Sequence, residues 1–247
     1  MAVIPVTENT MIIICGSGRS GTSAVARLVH ESGISVGNDL IEPDEHNTEG
    51  YFEERLVVMM NDALLNDVGL HKWFSVASRA EILAAARARG DMMREIVAAA
   101  TPAWKDPRFS WTLEAWMELL PERPRVVVCL RSPDEVVAST LRYYGLAGDE
   151  PTRAVEHGWR AEYERLLEVT EEYQLDAMSV DFSELNADPD AAVRPLDRFV
   201  GRKLDVGFVR RDLRHHRGGV PPHLRDVYAR VAALGAKYRE PTLTAER

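Results

Sequence analysis

Short uninterrupted apolar runs alternate along the chain with longer stretches in which apolar residues recur every three or four positions. The runs Met11–Cys15 and Arg125–Leu130 are typical of strands buried on both faces. Shorter strands are expected at Ala103–Lys105 and Ala177–Val180. Because strands and helices alternate, the pattern predicts a parallel sheet joined by right-handed crossovers. The expected fold is α/β with three layers, in which about five mostly parallel strands are flanked by helices.

Helical periodicity predicts the elements between and after these strands. They are Thr22–Ser32, Glu53–Asn66, Arg79–Ala100 with a break near Gly90, Phe109–Leu120, a helix that opens at Pro133, Thr152–Tyr173, Ala191–Val200 and His223–Lys237. The polar, proline-containing segment Asn38–Gly50 is expected to be a long surface loop, and Gly218–Pro222 a shorter one.

Length and composition favour one domain over residues 1–247 and exclude some classes of partner. A formal net charge of −9 argues against broad nucleic-acid binding, which requires a basic face. The two cysteines, Cys15 and Cys129, lie in strand-like runs and are expected to be core residues rather than a disulfide. The sequence has neither a signal-peptide pattern nor a run long enough to span a membrane, so we expect a soluble, cytoplasmic protein.

The glycine-rich segment between the first strand and the first helix has the parts of an anion site. Its glycines allow successive N–H groups to face one centre, and the helix adds its positive end. Hydroxyl groups and one arginine add further donors. The predicted anion-binding residues are Gly16, Ser17, Gly18, Arg19, Ser20, Gly21, Thr22 and Ser23. A glycine-rich turn without a ligand is the simpler alternative.

A nucleoside-triphosphate site is the more specific alternative for this loop. Gly16 and Gly21 have the Walker spacing, but Thr22 stands where the phosphate-binding lysine is required. The second buried strand ends in Arg131, where such proteins often keep an aspartate for Mg²⁺. Both departures favour an anion with two charges and no metal ion.

The segment GSGRSGTS resembles the 5′-phosphosulfate loop of the PAPS-dependent sulfotransferases, in which a lysine or arginine precedes the Gly-Thr pair by two residues. Arg19 occupies that position. The resemblance implies a P-loop-like fold and PAPS as sulfuryl donor, with PAP as product and no metal requirement. It also implies that Arg19 stabilises charge on the oxygen between phosphorus and the leaving sulfur.

A second motif strengthens the resemblance. Arg131 ends the second buried strand, and Ser139 follows eight positions later, about two turns into the next helix. This order is similar to the 3′-phosphate motif of the same family, and it places a guanidinium and a hydroxyl where both can meet one phosphate. A surface salt bridge beside an ordinary helical serine is the alternative reading.

Two weaker matches extend the resemblance toward the C-terminus. The segment around Phe182 resembles a family segment that has a tyrosine at this position. Phenylalanine has no hydroxyl, so the polar contact of that tyrosine with the nucleotide is not expected here. Arg217 lies in a basic, glycine-containing segment, residues 214–219, similar to one that closes over the 3′-phosphate. A solvated basic turn explains that segment equally well.

The general base is expected near the anion loop. Carbohydrate sulfotransferases place a catalytic glutamate before an aromatic pair, which resembles Glu49 ahead of Tyr51 and Phe52. His46 is the second candidate because an imidazole titrates near neutral pH, and Asp106 is the third. Lys105 is expected to be a second cation near the sulfuryl group.

The sequence leaves the acceptor open. We expect a small molecule or glycoside with a hydroxyl group, and the tryptophans are more often core residues than sugar platforms. The sequence does not show whether the chain forms a homodimer. The alternatives to a sulfotransferase are a P-loop kinase-like phosphotransferase and a nucleotide-binding module without catalysis.

Overall fold

The computed structural model describes residues 10–70, 76–209 and 218–239. The helices and strands in these ranges are, in chain order, β1 (Ile12–Cys15), α1 (Thr22–Glu31), α2 (Arg55–Asp67), α3 (Arg79–Ala88), α4 (Gly90–Ala98), β2 (Ala103–Lys105), α5 (Phe109–Met117), β3 (Arg125–Leu130), α6 (Pro133–Tyr144), α7 (Asp149–Glu172), β4 (Ala177–Asp181), α8 (Phe182–Ala187), α9 (Pro189–Val200), a 3₁₀ turn (Pro222–Leu224), α10 (Arg225–Ala232) and α11 (Ala236–Arg239).

The sheet has four strands in the part of the chain that the structure describes, in the order β2-β1-β3-β4. Every pair is parallel, with Ile13 opposite Trp104 on one side and Val126 on the other. The predicted parallel sheet is confirmed, with four strands where about five were expected. Because parallel strands end at the same edge, the segments that follow all four strands meet there.

Successive residues of the strands point to opposite faces, and each face is covered by helices. Ile12 and Ile14 pack with residues of α1 and α9, while Ile13 and Cys15 pack with residues of α2, α5 and α7. Strands covered on both sides need the continuous apolar sequence seen in β1 and β3. The three-layer arrangement predicted from the sequence is therefore confirmed.

Large aromatic side chains fill the layer beneath α5. The rings of Trp104 and Trp116 meet edge to face with centroids 5.3 Å apart, and the Trp116 indole donates to Asn61 Oδ1 at 2.9 Å. Trp111 and Trp159 are also buried. These four tryptophans are core residues; Trp73 lies outside the described ranges.

Both cysteines are core residues as well. Cys15 and Cys129 are free thiols, each fully buried, which agrees with the expectation that they form no disulfide.

Several predicted helix boundaries differ from those in the structure. Helix α7 begins three residues earlier than predicted, at Asp149. After β4, the Asp181 carboxylate accepts from the N–H groups of Ser183 and Glu184 and so starts α8, a helix that the sequence analysis did not predict. The single C-terminal helix predicted over 223–237 is broken, because Gly235 adopts a left-handed conformation with φ of 73°.

The C-terminal helices belong to the same core. Val227 and Val231 join one face of the sheet, and Tyr238 joins the other. The N–H of Ser179 in β4 donates to the carbonyl of Leu234 at 3.2 Å. Within the described ranges, no helix combines the length and the apolar character needed to cross a bilayer.

Candidate functional site

The loop between β1 and α1, residues 16–21, is clamped between two neighbouring elements. A Cβ on Gly16 would overlap the carbonyl oxygen of Cys129 in β3. Gly21 has φ of 83°, and a Cβ there would overlap the ring of Phe182. Both positions therefore require glycine, because a side chain has no space at either end of the loop.

The N-terminus of α1 presents unneutralised positive charge to the adjoining cavity. Gly21 is the N-cap and contributes no side-chain acceptor, and the first turn contains no acidic residue. Thr22, Ser23 and Ala24 line the cavity at this end of the helix. Free N–H groups and the helix dipole favour an anion here, and the two hydroxyls add donors.

Arg19 connects the loop to the motif that follows β3. It adopts a left-handed backbone conformation with φ of 68°, which turns its side chain toward α6. Its Nε donates to Ser139 Oγ at 3.1 Å, and its carbonyl accepts from Arg131 Nη1 at 3.1 Å. The two motifs predicted separately from the sequence therefore form one cationic cluster at the carboxyl edge of the sheet.

The ring of Phe182 forms part of the same cluster. It packs against Gly21 and lies 5.2 Å from the guanidinium of Arg131. Its position at the end of β4 places an aromatic face between the loop and the second motif. Phe182 also lines the cavity, as does Arg131.

The glycines at 218 and 219 pack on the start of α6. The N–H of Gly218 donates to Glu135 Oε1 at 3.2 Å, and Ser132 Oγ donates to the carbonyl of Gly219 at 2.7 Å. Glu135 also accepts from Arg131 Nε at 2.8 Å. The end of the segment 214–219 therefore lies beside the second motif, while Arg217 itself is outside the described residues.

Lys105 is buried at the end of β2, where its ammonium group has three partners. It donates to Ser23 Oγ at 3.2 Å and to the carbonyl of Tyr51 at 3.1 Å, and it forms an ion pair with Glu53. Burial raises the pKa of Glu53, and the charge of Lys105 opposes that shift. The pair fixes a cation next to the first turn of α1.

Asp106 is held by its own neighbours and does not face the cavity. Its Oδ2 accepts from Asn61 Nδ2 at 2.9 Å. Its Oδ1 accepts from the N–H of Arg108 at 2.9 Å and from Arg108 Nη1 at 3.0 Å. With both oxygens bonded and the side chain fully buried, Asp106 orients the turn that follows Lys105.

The loop that precedes α2 places Glu49 and His46 on the cavity wall. Glu49 accepts from Arg27 Nη1 at 2.7 Å, and the Arg27 guanidinium lies 3.9 Å from the centre of the Phe208 ring. His46 packs against the ring of Tyr143, with centroids 4.9 Å apart. A carboxylate and an imidazole therefore both border the space in front of the anion loop.

Tyr163 of α7 supports the anion loop from beneath. Its hydroxyl lies 2.7 Å from the carbonyl of Cys129 and 3.2 Å from Ser20 Oγ, and it accepts from the N–H of Ser17 at 3.4 Å. A carbonyl can only accept, so the phenol donates to Cys129 and the Ser20 hydroxyl donates to the phenol. Ser20 therefore faces the protein interior, which differs from its expected role as an anion donor.

These residues surround a cavity of about 680 Å³, which is within the usual range for small-ligand sites. The predicted residues that line it are Ser17, Gly18, Arg19, Gly21, Thr22, Ser23, His46, Glu49, Lys105, Arg131 and Phe182. Gly16, Ser20 and Asp106 are buried and do not line the cavity, whereas Ser139 is part-exposed and contacts Arg19 of the lining. Within the described ranges, no group of three or more His, Cys, Asp or Glu side chains is arranged to hold a metal ion.

Four contributors to the site were missed by the sequence analysis: Arg27, Glu53, Tyr143 and Tyr163. Arg27 lies on the same face of α1 as Ser23, one helical turn later, so helical spacing was an available signal. Glu53 is the first residue of the helix predicted over Glu53–Asn66, just after the predicted loop. Tyr163 lies within a long amphipathic helix, where nothing in the local pattern distinguishes it from a core residue.

Comparison with known proteins identifies one matching family. A family model described as the sulfotransferase family matches residues 11–205, well over half of the chain. No protein of curated function matches the chain.

Two solved structures align with this chain over most of its length. The sulfotransferase domain of the Synechococcus PCC 7002 olefin synthase has a TM-score of 0.47 and 19% identity, with 98% of this chain and 92% of that chain covered. The sulfotransferase domain from the curacin biosynthetic pathway has a TM-score of 0.46 and 17% identity, with 96% and 93% covered.

Proposed function

Because the chain belongs to the sulfotransferase family, we propose that it transfers a sulfuryl group from PAPS to a hydroxyl of a small-molecule or carbohydrate-containing acceptor and releases PAP. The observation that carries the choice of donor is the contact between the two cationic motifs. Arg19 reaches Ser139, and Arg131 reaches the backbone of Arg19. A donor with phosphates at both ends of its ribose fits such a paired site better than a nucleotide with one.

The 5′-phosphosulfate is assigned to the loop and the first turn of α1. Thr22 and Ser23 line the cavity, and their backbone N–H groups and hydroxyls are the proposed donors. The 3′-phosphate is assigned to Arg131 and Ser139, with the ring of Phe182 alongside. We also propose that residues 1–247 act as one domain, because α10 and α11 complete both faces of the sheet.

The reaction needs positioned cations and a proton acceptor rather than an enzyme nucleophile. The acceptor oxygen bonds to sulfur while the bond from sulfur to the bridging phosphate oxygen breaks, and its electron pair stays with that oxygen on PAP. Arg19 and Lys105 stabilise the charge that develops there. Lys105 is well suited to this task because Glu53 and the Tyr51 carbonyl fix its position.

Glu49 is the proposed base, and His46 is the alternative. Both border the cavity, and the contact of Glu49 with Arg27 at 2.7 Å orients its carboxylate. Asp106 is a weaker candidate than the sequence suggested, since both of its oxygens are bonded within the fold. We therefore assign Asp106 to the support of Lys105.

Two measurements, made one after the other, test the proposal. Calorimetry with PAP and with ADP compares a second phosphate at the 3′ position with one on the 5′ chain, and we expect PAP to bind at least ten-fold more tightly. Equal affinities, or phosphoryl transfer from Mg·ATP, would favour a kinase-like phosphotransferase instead. Transfer of labelled sulfate from PAPS to a panel of phenols, glycosides and alcohols then tests catalysis, and PAP binding without any transfer would identify a nucleotide-binding module.

A further inference from the structure

A buried carboxyl group lies directly beneath the anion loop. Glu162 precedes Tyr163 on α7, and only 1% of its surface is exposed. Its carboxyl group shares hydrogen bonds with the side chains of Ser17 and Trp111. Oε2 has no partner among the described residues. Ser17 is the loop residue through which this carboxyl group contacts the wall of the cavity.

No described cation forms an ion pair with Glu162, although several lie on neighbouring elements. Arg79 of α3 pairs with Glu114 of α5, and Arg131, just before α6, pairs with Glu135 of α6. On α10, Arg225 donates to the carbonyl of Val220. Among the described residues, Tyr163 interacts electrostatically both with Glu162 and with Cys129 of β3.

Both of these neighbouring groups are uncharged at neutral pH. Burial raises the pKa of Tyr163 well above its ordinary value and the pKa of Cys129 to about 12. The ionised form of Glu162 would therefore be a buried charge without a counter-ion, which is costly. Burial accordingly raises the pKa of Glu162 to about 8, against the effect of its two hydrogen-bond donors.

We infer that Glu162 is a positioning residue whose proton is linked to anion binding, so that the loop above it holds a doubly charged anion only while Glu162 is neutral. Ionisation would place a negative charge under the loop in a region of low dielectric, where repulsion is strong. Linkage requires the reciprocal effect, in which a bound anion raises the pKa of Glu162. This inference rests on the proposed phosphosulfate site.

The test uses inorganic sulfate and PAP as separate ligands between pH 7 and 9.5. Sulfate keeps its charge over this range, so any change in its affinity belongs to the protein. For the wild-type protein we expect the affinity for both ligands to fall about ten-fold for each pH unit above the midpoint. Calorimetry in buffers of different ionisation enthalpy should also show proton uptake on binding near that midpoint.

Glu162→Gln is the informative variant, because the amide oxygen can accept the same two bonds without a charge. It should bind sulfate at pH 7 as the wild type does and lose the pH dependence. Glu164→Gln is the matched control on the same helix, since Glu164 is part-exposed and pairs with Arg160. It should keep the wild-type pH profile.

A pH-independent sulfate affinity in the wild type would overturn the inference, as would a Glu162→Gln profile identical to that of the wild type. The pH dependence of sulfate affinity in the wild type tests the inference even if the variant does not fold. Failure of the proposed donor would look different: sulfate would still bind with the expected pH dependence, and PAP would bind no more tightly than ADP.

Discussion

Arg19 Nε donates to Ser139 Oγ at 3.1 Å, across 120 residues of sequence. The bond joins the loop after β1 to the helix after β3, and it holds the arginine within 5.4 Å of the Tyr143 ring. In the proposed complex with PAPS, a cation at this place can serve either the phosphosulfate or the 3′-phosphate. The strength of the Arg19–Ser139 bond therefore affects how far Arg19 is free to act on the bond that breaks.

Arg131→Lys should weaken PAP binding about ten-fold to a hundred-fold, the cost of a lost hydrogen bond to a charged group. Lysine keeps the charge but lacks the planar guanidinium group. In Arg131 this group bonds to Glu135 and to the Arg19 carbonyl and still has donors for a phosphate. ADP, which has no 3′-phosphate, should bind the variant and the wild type alike. Calorimetry with the two nucleotides checks this, and equal losses for both would place Arg131 in the support of the loop alone.

Glu49→Gln should preserve PAP affinity and lower turnover from PAPS by about 10²–10⁴-fold, the usual effect of losing a general base. Glu31→Gln is the control, because Glu31 also pairs with Arg27, at 2.6 Å, without lining the cavity. Steady-state kinetics of the two variants separates loss of a proton acceptor from loss of an Arg27 partner. Similar turnover in both variants would transfer the assignment to His46.

Gly21→Ala should destabilise the fold by more than backbone strain explains. Gly33 supplies the control, since its φ of 91° is also left-handed but a Cβ there meets nothing within 4 Å. Gly33→Ala should therefore lose only about 1–3 kcal/mol. In Gly21→Ala the added methyl also overlaps Phe182, and Phe182→Ala should recover that part. Urea unfolding of the single and double variants measures the coupling, and additive losses would argue against the overlap.

Glu53→Gln should cost about 3–5 kcal/mol of stability, because it leaves the buried ammonium of Lys105 without its counter-ion. Lys105→Met should cost less, since burial already raises the pKa of Glu53 and the carboxyl group can take up a proton. The double variant should be more stable than Glu53→Gln alone. Chemical unfolding completes the cycle, and a double variant that is the least stable of the three would contradict the buried pair.

Glu162→Gln should change how stability depends on pH. The pKa of Glu162 rises from 4.5 to about 8 on folding. The folded wild type therefore holds a proton that the unfolded chain has released between these values. Its free energy of unfolding should fall by about 1.4 kcal/mol per pH unit across that window and level off above it. The variant should lack this component, and parallel wild-type and variant curves from pH 5 to 8 would contradict the shift.

Much of the fold was predictable because its signals are local. The continuous apolar runs of β1 and β3 identified strands covered on both faces, and the glycine spacing identified the loop between β1 and α1. Helix α8 was missed because its start depends on one capping side chain, Asp181, rather than on a periodic pattern.

The site was predictable where residues follow the ends of strands, because parallel strands bring those positions together. Arg19, Lys105 and Arg131 lie at or just after strand ends, and the sequence analysis named them through their resemblance to family motifs. Contacts from other elements were not predictable. Asn61, which bonds to Asp106, comes from α2, and the phenol of Tyr163 comes from α7; no spacing rule links either to the loop. The inward direction of Ser20 follows from Tyr163 and was missed for the same reason.

The three contacts of the Tyr163 hydroxyl have a consequence for protein engineering. Residues 15–23 look transplantable, since they form a compact strand, turn and helix start. Yet the turn takes its shape from a phenol on α7, a carbonyl at the end of β3 and a ring at the end of β4. A graft of the nine residues onto another α/β scaffold would transfer the glycines and the arginine without the three neighbouring groups that shape the turn. Transfer of sulfate binding to a new host should therefore require the three supporting positions to be moved together with the loop.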